Sequence, residues 1–171
     1  IKYKGNFEID KDYHKNNSQR IVPIAVKEYF INNIPVADTV QNINGTFINS
    51  EGEKDTINIY DYCIGRKARG SKYMLVSPNE IQEVKDKVIV YYIKVNGRKL
   101  YKKYLSGKKE GSLQSVNKGF QVELFMKYSE QENYGIDYNY YMNEANKIIL
   151  PIIRGTRSWL NNYAKQQLTL F

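Results

Sequence analysis

Three carboxylates, Glu8, Asp10 and Asp12, alternate along the chain. On an extended strand they share one face, and oxygen ligands so placed suit a divalent cation and a metal-dependent nuclease. Lys11 and Lys15 crowd the set and no further carboxylate cluster follows nearby. The plainer reading is a strand running into a polar turn. His14 is the sole imidazole and has no placed Ser, Cys or carboxylate partner that would make it a general base. Cys63 lies among Ile59, Tyr60 and Ile64, which reads as buried and inert rather than nucleophilic. The stretch 65–70 (GRKARG) is punctuated by glycine, but it lacks the preceding strand, the following helix and the Lys-Ser/Thr ending of a phosphate loop. No catalytic set and no metal set is completed by these residues, and no cofactor is expected in the chain.

Binding chemistry is better represented. Lys2, Lys4 and Gly5 on an extended segment, and Arg66, Lys67 and Arg69 with Lys72 just beyond, are suited to salt-dependent contacts with backbone phosphates. Between residues 66 and 109, thirteen of the 26 Lys and Arg face only Glu80, Glu83 and Asp86, and the whole chain carries a formal charge of +8. That asymmetry favours a polyanionic partner. Sixteen tyrosines add rings that can pack below while their hydroxyls meet solvent or phosphate. The second signal is the end of the chain, where Gln167, Leu168, Thr169, Leu170 and Phe171 put an amide and three apolar groups on a terminus that is ordinarily solvated. Docking in a partner's apolar groove explains such residues; packing back on the domain is the other reading.

The elements that must position these residues follow from periodicity. Residues 2–9 alternate as a half-buried strand, and 10–17 form a polar linker. Ser18 caps a helix to about residue 31, with Ile21, Ile24, Ala25, Glu28 and Tyr29 on one stripe and Pro23 in its first turn. Pro35 opens a short helix closed at Asn44-Gly45, and 55–62 reads as another. The period then changes: 71–77 and 88–95 read as strands, Asn96-Gly97 as a hairpin turn, and 99–105 as the returning strand. A loop over 107–119 precedes a strand at 120–126. Asp137 caps a helix over 137–153, Gly155 ends it, and 158–171 is a tail. The fold class is α+β, with a small antiparallel β-hairpin subdomain and an extended C-terminal tail. The 171 residues make one domain or two small lobes, and one cysteine excludes an internal disulfide and a Cys/His zinc cage. The longest apolar runs are far too short for a spanning helix, so no membrane partner is expected. The start at Ile1, without methionine or a signal segment, suggests a fragment of a longer protein.

The pentapeptide QLTLF (167–171) resembles the motif by which bacterial polymerases and repair proteins bind the ring-shaped β sliding clamp, departing from its usual form only at Thr169. The run KYKGNFEIDKDYHKNNSQRIVPIAVKEYF (2–30) resembles the end of the palm and start of the thumb in phage family B DNA polymerases. NIYDYCIGRKARGSKY (58–73), VIVYYIKVNGRKLYKK (88–103) and YGIDYNYYMNEANKIILPI (134–152) are similar to later thumb elements of the same enzymes.

The resemblance implies a palm-end strand and linker over 1–17, a helical thumb-like DNA-gripping domain over 18–157, and a clamp-binding tail over 158–171. Its implied partners are primer-template DNA, the β sliding clamp, and the exonuclease, palm and fingers of the same polymerase, in the cytoplasm of a bacterial host. The family's paired palm aspartates are absent: Asp10-Lys11-Asp12 lies downstream of their place, and Lys102-Lys103-Tyr104 mimics a Lys-Lys-x-Tyr element out of position. Nucleotidyl transfer and its Mg²⁺ would therefore belong to the rest of the DNA-directed DNA polymerase, and this chain alone should not polymerise. The alternative is a stand-alone phage protein that takes the host clamp through QLTLF and modulates replication.

Overall fold

The computed structural model describes residues 19–125 and 133–169. Contacts divide them into two units, each with its own core. The first is Asn58–Asp137 with Arg20; the second joins Ile21–Ile57 to the helix that begins at Tyr138. The chain therefore alternates between the units, leaving the first at Arg20, returning to it at Asn58 and leaving it again after Asp137.

The second unit is built on helices α1 (Ile21–Asn32), α2 (Val36–Val40) and α3 (Tyr138–Thr169), with the antiparallel pair β1 (Thr46–Ile48) and β2 (Lys54–Thr56). Pro23 lies in the first turn of α1, where its missing N–H costs nothing, and Asn33 at φ +56° ends the helix while Ile34 N–H bonds back to the Glu28 carbonyl. Ile21 and Ala25 of α1 and Tyr141, Ala145 and Ile149 of α3 are buried here, as the helical spacing predicts, together with Val22 and Val40; Ile24 and Tyr29, expected on the same stripe of α1, are only half-buried. The expected end of α3 at Gly155 is corrected. The helix runs on to Thr169, because Gly155 takes no left-handed cap and the residues beyond it contain no proline. Residues 158–169 are thus helical rather than an extended tail.

The first unit is an antiparallel sheet larger than the single hairpin expected from sequence. Its strands are β3 (Ile64–Lys67), β4 (Ser71–Ser77), β5 (Glu80–Val84), β6 (Val88–Tyr104), β7 (Leu113–Ser115) and β8 (Gln121–Leu124). The central strand β6 pairs with β3 and β4 along one edge and with β7 and β8 along the other. The expected helix at 55–62 is instead β2 followed by a short 3-10 turn, Ile59–Tyr62. That turn is capped by Asn58, whose side chain accepts from Tyr60 N–H while Asp61 accepts from Asn58 N–H.

Asn96-Gly97 makes no hairpin. Both flanking segments belong to β6, and Ile93 and Arg98 both sit opposite Val122, so residues 94–97 are looped out as a wide bulge. A straight strand of 17 residues would extend roughly 55 Å at about 3.3 Å per residue. Yet Lys67, opposite Val88, and Ser71, opposite Tyr104, are separated by three residues that span at most about 14 Å. The two ends of β6 therefore lie close together, and the sheet folds over on itself at the bulge. Val95 N–H donates to the Gly135 carbonyl at 2.9 Å and Lys94 bridges to Ile136, so the looped backbone is itself paired. A Cβ on Gly97 would stand 2.5 Å from the Val122 carbonyl oxygen, which is why the bend needs glycine there. Tyr62, Tyr73, Leu75, Tyr91, Tyr92, Ile93, Leu100 and Val122 fill the interior of the fold. Cys63 is fully buried with its thiol donating to the Ile59 carbonyl, as its apolar setting suggested.

Candidate nucleic-acid interface

Folding β6 double brings together the basic residues that the sequence spreads over forty positions. The turn 68–70 between β3 and β4 is tied to both ends of β6: Ala68 N–H donates to the Lys87 carbonyl and the Gly70 carbonyl accepts from Leu105 N–H. Gly70 adopts φ +61°, a backbone that a side chain would strain. Around this turn Lys67 and Arg69 are exposed, and Lys72 is half-buried, directly across from Lys103 and ion-paired to Glu83 at 3.4 Å. Lys72 is thus partly neutralised, and Lys67 and Arg69 offer the open charge. The backbone dictates this grouping: a three-residue connection leaves its flanking cations nowhere to go but the same end of the sheet.

Arg66 is different. Its pairing partner is Ile89, and Ile64 pairs with Tyr91, so Arg66 shares the buried face of β3 and β6 and donates its Nε–H to the Tyr91 hydroxyl at 2.8 Å. The Tyr91 hydroxyl in turn donates to Asn117 Oδ1. On the other half of β6 the register places Leu100, Lys102 and Tyr104 on one face, opposite Leu75, Tyr73 and Ser71 of β4. Leu100 and Leu75 are fully buried, so Lys102 continues an inward row toward the rim of the sheet. Arg66, Tyr73, Lys102 and Tyr104 converge with Gln114, Ser115, Val116 and Asn117 on a cavity of about 280 Å³. No carboxylate among the described residues lines it. Lys102 Nζ stands 5.2 Å from the centroid of the Tyr104 ring, and the Tyr104 hydroxyl donates to Gln114 Oε1 at 2.6 Å. Burial, offset by the Arg66 charge, pushes the Tyr73 hydroxyl above its usual range, so it stays a neutral donor, bonded to the Lys67 carbonyl at 3.1 Å.

The expected site residues fall into three groups. Arg66, Lys67, Arg69 and Lys72 gather at one end of the folded sheet. Lys2, Lys4 and Gly5, with Glu8, Asp10, Asp12 and His14, lie outside the described residues. Gln167, Leu168 and Thr169 close α3, while Leu170 and Phe171 lie outside the described residues. The sequence placed Lys102 and Tyr104 in a strand of basic character, where with Lys103 they mimic a Lys-Lys-x-Tyr element out of position, and missed their convergence with Arg66. The available signal was the alternation Leu100, Lys102, Tyr104, in which a lysine occupies the row of a core leucine.

Among the described residues, no group of three or more His, Cys, Asp or Glu could hold a metal ion, and no helix is long and apolar enough to cross a membrane. No protein-family model, curated protein or solved structure matches the chain.

Proposed function

We propose that this chain is the thumb-containing C-terminal part of a phage-type family B DNA polymerase. It grips primer-template duplex through backbone phosphates and tethers the enzyme to the β sliding clamp through QLTLF. The observation that carries the DNA-binding half is the cationic end of the folded sheet, where Lys67 and Arg69 stand open and Arg66, Lys72 and Lys103 flank them. Such a cluster contacts phosphates without reading base sequence, and its affinity falls with added salt through counterion release. The clamp half rests on the resemblance of residues 167–171. On this reading the catalytic carboxylates and their Mg²⁺ lie in the upstream palm, and tethering adds avidity to a short-lived DNA contact.

The test is duplex binding by the full chain over a range of salt. A steep linear fall of log affinity with log salt is expected, its slope reduced by about one for each of Lys67→Gln and Arg69→Gln. Salt-insensitive binding overturns the DNA-gripping role. Deleting residues 167–171 should abolish clamp binding and leave duplex affinity unchanged; loss of both overturns the tether. A chain that binds the clamp but no DNA is instead a stand-alone clamp ligand that modulates replication.

A further inference from the structure

The face of β4 and β6 that points away from the core carries a row of its own. Alternation puts Lys99, Tyr101 and Lys103 of β6 on the face opposite to buried Leu100, with Val76, Met74 and Lys72 directly across in β4. Lys99 is exposed, and Tyr101, Lys103 and Met74 are half-buried, so the row is reached by solvent along its length. Other tyrosines of this sheet have their hydroxyls engaged: Tyr73 donates to the Lys67 carbonyl, Tyr92 to the Tyr134 carbonyl and Tyr104 to Gln114. Tyr101, among the described residues, has no hydrogen bond and no ring contact, and neither Lys99 nor Lys103 has an ion pair. The carboxylate of β5 across from Met74, Glu83, is already engaged by Lys72 at 3.4 Å. Exposed Ile81, opposite Val76, and exposed Leu113, opposite Lys103, extend apolar surface to either side.

Lys99 and Lys103 stand about 13 Å apart along the strand, with the ring between them. An open aromatic ring flanked by two open ammonium groups is complementary to a chain in which flat bases alternate with phosphate charges. In a duplex the base faces are closed against one another, so the form that fits is a single strand. An acidic peptide offers the charge without the ring faces.

We propose that this outer face binds a segment of single-stranded DNA, with a base stacked on Tyr101 and the flanking phosphates on Lys99 and Lys103. That the strand is DNA rests on the function proposed above. The stacking row itself is independent of the duplex grip at Lys67 and Arg69.

The experiment is fluorescence anisotropy of the full chain with a labelled oligothymidylate of about eight nucleotides, its abasic counterpart, oligouridylate of the same length, and duplex. Thymidylate is expected to bind at least about fivefold tighter than the abasic strand. Tyr101→Leu should weaken thymidylate binding by about fivefold or more and erase the preference for bases, while Tyr101→Phe keeps both. Lys99→Gln should lower the salt slope of single-strand binding by about one. Equal binding of the abasic strand overturns the site, and this comparison uses the unaltered chain, so it decides even where Tyr101→Leu does not fold. A folded Tyr101→Leu protein that binds thymidylate unchanged overturns it as well. Polyglutamate that displaces the strand at equal charge makes an acidic peptide the occupant and overturns the proposal, and tighter binding of uridylate overturns its assignment to DNA. Salt-dependent duplex binding that survives loss of the single-strand site leaves the proposed function standing. A stacking site in a chain that binds no duplex does the reverse.

Discussion

Tyr92 is fully buried in the sheet and its hydroxyl donates to the Tyr134 carbonyl at 2.9 Å. Burial, then the nearby Glu123 charge, push its pKa up to about 12 from 10.0. In the unfolded chain the phenol ionises near its ordinary value, so between pH 10 and about 12 the unfolded state releases a proton that the folded state keeps. The contribution is intact below pH 10 and is lost as pH rises through that window; Tyr73, also raised by burial, acts in the same direction. Urea midpoints measured across that window should fall steeply with pH, and Tyr92→Phe should flatten the fall. Glu28 is the corresponding residue of the helical unit: buried at 3% exposure, it accepts from Ile48 N–H at 3.2 Å and from the Asn32 amide at 3.1 Å. Glu28→Ala leaves a backbone donor unpaired and should cost about 2–3 kcal/mol in urea unfolding, and Glu28→Gln less, since it retains an acceptor. The spacing of α1 placed Glu28 on the buried stripe correctly, but not its partner in β1, twenty positions away. Nor do the tyrosines announce their roles: Tyr62, Tyr73, Tyr91 and Tyr92 fill the core, and the same amphipathic ring would serve as well at a surface.

The bend in β6 shows what periodicity can and cannot resolve within one element. Both arms were legible as strands from alternation, but Asn96-Gly97, expected as the turn of a hairpin, sits within β6 with Asn96 at φ +57°. The same dipeptide serves a two-residue hairpin or a bulge. What selects the bulge is Val122, a partner that lies beyond any local window. The strand β5 escaped notice because four of its five residues are exposed and carry no alternation. Gly97→Ala drives a Cβ to 2.5 Å from the Val122 carbonyl, so β6 and β8 must separate. A loss of about 3 kcal/mol is expected, measured by urea unfolding, with earlier hydrogen exchange at Ile93 and Val122.

For the molecule as a whole, the sequence located the basic stretch and told α1 and α3 from the longer strands, but it read 55–62 as a helix where β2 and a 3-10 turn stand. It did not reveal that Ile21–Ile57 and the segment after Asp137 form one unit across the intervening sheet segment. That threading orders events during synthesis. As the chain leaves a ribosome, every described strand of the sheet emerges before α3 does, so the first unit can complete its core while α1 still waits for its packing partner. Chains ending at residue 137 and released from the ribosome should resist protease within β6 and be cut within α1; protection of α1 at that length would show that the helices settle without α3. A chain lengthened by the rest of α3 should gain protection at α1 in one step. Helix α3 thus acts as a latch on α1, and a product terminated before Tyr138 would carry a folded sheet with an unfinished helical unit ahead of it.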